Sequence, residues 1–98
     1  MEVTNVALSL GAPGFGTHLK LLQEAKTDLL IAGEAPEWET YQYVHDARLQ
    51  GRNKAVIFLG HTNSEEGGMK YCARWLKGFL PQNTRIRYIE NGSSFTYY

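Results

Sequence analysis

Five consecutive apolar residues, Ala55 to Leu59, run without a polar interruption and stop at Gly60. A strand with one wet face alternates apolar and polar residues, so an unbroken run predicts a strand covered on both faces, as in a parallel sheet between helices. His61 stands at the exit of that strand. Thr62-x-x-Glu65 then reads as a capping box that opens a helix, with Gly67 and Gly68 leaving its first turn free of bulk.

The rest of the chain repeats this grammar. Val3 to Leu10 predicts a first strand, followed by the loop Gly11-Ala-Pro-Gly-Phe-Gly16 and a helix over Thr17 to Lys26, whose Leu19, Leu22 and Ala25 share a face. Asp28 to Ala32 predicts a second strand. A helix then opens at Pro36, carries Glu37 and Glu39 in its first turn and ends at Gly51, with Trp38, Tyr41, Val44 and Ala47 as its inner stripe. The third helix is expected to bury Met69, Cys72, Ala73, Leu76 and Phe79 and to stop near Gly78 and Pro81. Arg85 to Glu90 reads as an edge strand. The order βαβαβαβ predicts a three-layer α/β fold, a mostly parallel sheet flanked by helices, as one domain over residues 1–98.

Size and composition agree with this. A chain of 98 residues buries roughly 60–70% of its unfolded surface. Apolar residues make up 43% of it and charged residues 20%, an ordinary globular balance. Ten basic residues offset ten acidic ones, so no net field draws the chain to nucleic acid or to an anionic membrane, and neither partner is expected. A single cysteine, Cys72, excludes an internal disulfide framework and reads as a small buried hydrophobe. Without a run of roughly 18 apolar residues or a basic, apolar leader, a cytoplasmic location is the expectation.

The chemistry concentrates at the rim beyond the strand ends, where open α/β sheets bind ligands. An imidazole beside a carboxylate suits zinc, iron, manganese or nickel, and equally suits a general base with its orienting partner. A strand-end histidine and a capping glutamate also arise for structural reasons, so the spacing alone leaves both roles open.

Gly33-Glu34 after one apolar strand, Gly60-His61-x-x-Ser64-Glu65-x-Gly67-Gly68-Met69 after the next, and a helix ending in Trp75-Leu76 together resemble the C-terminal part of the Nif-three-like family. Its members are dinuclear-metal proteins, many labelled type 2 homologs of GTP cyclohydrolase I. The resemblance spans about Val6 to Phe95. It implies that His61 and Glu65 are metal ligands and that Glu34 lines the same cleft beside the substrate. It also implies a metal-dependent hydrolase when the site is complete, the remaining ligands coming from an N-terminal half that this chain does not contain.

Counting ligands sharpens the expectation. An open catalytic zinc site takes about three protein ligands and the motif offers two, so the chain alone should hold a divalent ion weakly and show no robust hydrolysis. A homo-oligomer is expected, with Tyr97 and Tyr98 as candidates for burial at a subunit contact. The aromatic ending Phe95-Thr-Tyr-Tyr98 packs either on the sheet edge or against another subunit. Two other classes stay open: a non-catalytic assembly module, and a nucleotide- or anion-binding protein using the Gly11–Gly16 loop without metal. That loop lacks Gly-Lys-Ser/Thr and the dinucleotide spacing, so a tight turn shaping the rim is favoured over a phosphate cradle. His18 opens the first helix within reach of the site, His45 reads as a surface residue, and Lys70, Arg74 and Lys77 read as a solvated helix face.

Overall fold

Three parallel strands and the helices between them form the frame in the computed structural model, which describes residues 1–24, 26–96 and 98. Strands β1 (Val6–Ser9), β2 (Leu29–Ala32) and β3 (Ala55–Phe58) lie side by side in chain order. Helix α1 (Phe15–Glu24) joins the first two, and a π-turn (Glu37–Tyr41) running into α2 (Gln42–Leu49) joins the second and third. Helix α3 (His61–Leu76) follows β3. The parallel α/β sheet is therefore the one the sequence implied.

The register sorts the apolar residues. Ala7, Leu30 and Val56 align across the sheet, as do Ser9, Ala32 and Phe58, so these residues share one face. Leu22 from α1 and Val44 from α2 pack on Leu30 and Ala32 there, which makes this face the core. Ala25, assigned to the same stripe as Leu22, lies outside the described residues.

The opposite face departs from expectation. Leu8, Ile31 and Ile57 align on it, yet Leu8 is 65% exposed and Ile57 49%. The unbroken apolar run of β3 is thus not covered on both sides, and the third layer is missing among the described residues. The reason lies in α3: none of its residues is buried, because it leaves the sheet at its root instead of folding back across it. The chain measures 58 × 33 × 23 Å, and its radius of gyration of 17.0 Å exceeds the roughly 13 Å of a compact chain this long. Met69 and Phe79, expected in the core, are exposed, and Cys72 is half-buried.

Three local corrections have identifiable causes. The first strand starts at Val6 rather than Val3 because the Asp28 carboxylate accepts from the backbone N–H of Thr4 (2.9 Å), the Thr4 hydroxyl (2.8 Å) and the N–H of Asn5 (3.1 Å). Those bonds, the Thr4 N–H foremost, hold its pKa down at about 2. The second helix begins with a π-turn, whose wider turn rotates the inward stripe by about one residue. Thr40 is buried in consequence, Trp38 is 79% exposed and Tyr41 42%, while Val44 and Ala47 keep their inner places.

The fourth strand does not form. Residues 85–92 run beside α3 instead, where one oxygen of Glu66 accepts from the Tyr88 hydroxyl (2.8 Å) and from the N–H groups of Asn91 (2.6 Å) and Gly92 (3.4 Å). Glu66, not a neighbouring strand, anchors this segment, through the Tyr88 side chain and the backbone just past the expected strand. The Asn91 N–H chiefly lowers the Glu66 pKa, and burial followed by the bond to Glu66 pushes Tyr88 up to about 12.

Candidate metal centre

All three strands deliver a glycine to one rim. The ladder continues past the strand ends through Leu59 N–H to Ala32 O and Gly60 N–H to Gly33 O, both 2.9 Å, and through Glu34 N–H to Gly11 O at 3.0 Å. Gly33 passes so close to the Gly11 backbone that a Cβ on it would have no room. Glu34 and His61 thus follow the carboxyl ends of the neighbouring strands β2 and β3.

Gly60 takes φ +87°, a backbone conformation that side chains resist, and turns the chain directly from strand into helix. Helix α3 therefore begins at His61, and Thr62 is not its cap; no side chain fills that role. The expected capping box is replaced by a pin across the rim. The Ser64 hydroxyl donates to His61 O (2.7 Å) and accepts from Gly11 N–H (2.9 Å), tying the loop after β1 to the helix root. Freed from capping, Glu65 points back along the helix toward His61.

His61 lies between two carboxylates. Its Nδ1 is 3.1 Å from Glu34 Oε1 and its Nε2 is 3.0 Å from Glu65 Oε2. The three residues named from the sequence are thus brought together. Either ring nitrogen can carry the neutral ring's proton; with it on Nδ1 and directed to Glu34, Nε2 offers its lone pair toward Glu65 Oε2, and a proton or a metal cation between the two makes that approach favourable. Metal–ligand bonds of roughly 2.0–2.2 Å set two donors of one ion about 3 to 3.5 Å apart, which the Nε2–Oε2 pair matches. A carboxylate on the other ring nitrogen is the usual orienting partner of a metal-binding histidine. Two donors fit a shared ion; among the described residues no group of three or more His, Cys, Asp or Glu side chains would hold one alone.

Gly11 completes the arrangement. It takes φ +70°, and a Cβ on it would collide with the Glu65 carboxylate while lying 3.6 Å from His61 Nε2. The first glycine of the loop is therefore the seat of Glu65, not part of a phosphate cradle.

Two cavities meet at His61. One of 610 Å³ runs between α3 and residues 86–91, with Met69, Leu76, Ile86 and Ile89 as its apolar walls. The other, 280 Å³, lies between Glu34, Tyr41, Phe58 and Phe95. The Phe95 ring packs on Gly60, where a Cβ would lie 2.6 Å from its Cε2, so the aromatic tail docks at the cleft. Tyr98 is exposed, and Tyr97 lies outside the described residues.

His18 does not join the site. It is fully buried at the α1–π-turn junction, its Nδ1 2.8 Å from the Thr40 hydroxyl and its Nε2 without a partner among the described residues. Burial lowers its pKa, against an opposing pull from Glu39. Sequence reasoning missed this pair, since a histidine beside a glycine loop looks like a rim residue. His45 is exposed beside Asp46, as expected of a surface residue.

A family model for Duf34/NIF3 (NGG1p interacting factor 3) matches residues 1–93, and the chain belongs to that family. Comparison with curated proteins and with solved structures gave no match.

Proposed function

We propose that His61 Nε2 and Glu65 are two donors to a divalent cation, zinc, iron or manganese, and that the completed centre serves hydrolysis. One observation carries this reading: Nε2 and Oε2 stand 3.0 Å apart, the spacing of two donors to one ion, while Glu34 lies at the other ring nitrogen as an orienting carboxylate does. A divalent ion there would lower the pKa of bound water and polarise a substrate oxygen. The chain's own residues supply orientation. Glu34 fixes the tautomer and plane of His61 beside the substrate cleft, and Ser64 and Gly11 hold the helix root against the first loop.

Two protein donors bind an ion weakly, so the remaining ligands come from a separate N-terminal half or another copy of the chain. The uncovered apolar residues Leu8 and Ile57 on the sheet support a covering partner, because leaving them in water forfeits about 25 cal/mol per Å². A metal-free anion site at the loop loses support, since Gly11 faces a carboxylate that repels anions.

Elemental analysis and ion titration test the reading. His61→Ala and Glu65→Ala should each lose retained zinc, iron or manganese while staying folded, both side chains being half-exposed. Equal metal content in parent and variants would overturn it.

A further inference from the structure

The smaller cavity beside His61 has a chemical character of its own. Tyr41 and Phe58 stack with centroids 4.1 Å apart and planes 15° from parallel, and the stacked pair lines one side of the cavity. Phe95, held on Gly60, contributes a second aromatic wall. The 280 Å³ between them exceeds the roughly 150 Å³ that accommodates benzene in an apolar cavity, so one ring with a fused ring or substituent fits. Aromatic walls favour an offset-stacked planar guest over an aliphatic one.

The polar edge of the cavity selects further. Glu34 commits Oε1 to His61, and its Oε2 has no partner among the described residues. Asn63 donates through Nδ2 to Ser93 at 3.3 Å, and its carbonyl oxygen likewise has none. Both free atoms accept hydrogen bonds, and neither donates. A guest satisfies them by presenting N–H groups.

We infer that this cavity is a subsite for a small planar heteroaromatic ring bearing an N–H donor, held between Phe95 and the Tyr41–Phe58 stack with its donor edge toward Glu34. The ring is the recognition element of the substrate whose reacting group lies at His61 and Glu65, and in that respect the inference rests on the proposed hydrolytic site. Ring binding itself needs no ion.

The test titrates the full chain, metal-free, with benzimidazole and follows backbone amide NMR shifts. Saturable shifts centred on Gly33, Glu34, Gly60 and Asn63 are expected. Phe95→Leu, which keeps an apolar side chain on Gly60 but removes the π face, should weaken binding about fivefold or more, and Tyr41→Ala should do the same. N-methylbenzimidazole, lacking the donor, should bind more weakly, and cyclohexanol should give no saturable shift. Absent shifts, shifts confined to the 610 Å³ groove, or equal binding of the N-methyl compound or of Phe95→Leu would overturn the inference. Because no metal is present, these failures are separate from failure of His61 and Glu65 to bind an ion.

Discussion

Gly11→Ala and Gly14→Ala form a matched pair that isolates what the loop does for the site. Both glycines have positive φ, +70° and +93°, so alanine at either incurs the left-handed backbone penalty of about 1–2 kcal/mol. Their surroundings differ. A Cβ at Gly14 meets nothing within 4 Å, whereas one at Gly11 meets the Glu65 carboxylate. That carboxylate ends a flexible side chain, so it yields rather than the backbone, and the excess cost appears in ion binding rather than in folding. Urea unfolding should show similar losses for the two variants, or about 4–8 °C in Tm per kcal/mol. Calorimetric titration with zinc or manganese should show parental affinity for Gly14→Ala and a drop of about tenfold or more for Gly11→Ala, the scale on which displaced ligands and their supports act. Parental ion affinity in Gly11→Ala would refute the reasoning, because Glu65 would then not depend on the space that Gly11 leaves.

Thr40→Val removes the hydroxyl that engages buried His18, leaving both ring nitrogens unsatisfied; a loss of about 1–3 kcal/mol is expected by urea unfolding. Because burial depresses the folded-state pKa of His18, its unfolded state binds protons more readily, so stability is fully present above the ordinary value of 6.5 and is lost as pH falls from there toward the folded pKa. His18→Gln should flatten that part of the stability profile; an unchanged slope would count against it. Spectroscopic titration of the tyrosines should reveal one phenol near pH 12, lowered part of the way in Glu66→Ala, which removes the acceptor and its charge while burial still holds the phenol up. An unchanged value in that variant would show that the bond to Glu66 does not contribute.

The frame was legible in the sequence where single residue types carry a strong physical preference. Apolar runs marked β2 and β3, and the glycines at 33 and 60 marked the turns that bring Glu34 and His61 together. The motif also named three side chains that the fold gathers in one cluster. What could not be read is a matter of partners. The pattern Met69, Cys72, Ala73, Leu76 states which side of α3 wants cover, not whether this chain supplies it. Likewise Ile86 and Tyr88 alternate as a strand would, but the Tyr88 hydroxyl and the N–H groups just past that segment bind Glu66 on α3, so it lies along the helix and not at a sheet edge. The π-turn inserts one residue of phase, which an apolar spacing of three cannot reveal, and so Thr40 rather than Tyr41 faces inward.

The way α3 leaves the sheet also sets a gear ratio. Its sixteen residues extend roughly 24 Å from Gly60, while Glu65 lies only about 6 Å along that arm. Trp75 and Phe79, in edge-to-face contact at 4.6 Å, form an exposed aromatic ridge at the far end. A tilt about the root that carries this ridge by about 4 Å displaces Glu65 by only about 1 Å. Whatever grips the distal end therefore acts on Glu65 at about a quarter of its own amplitude, and the helix can accommodate contacts of different shapes at its tip while the spacing between His61 and Glu65 is largely preserved.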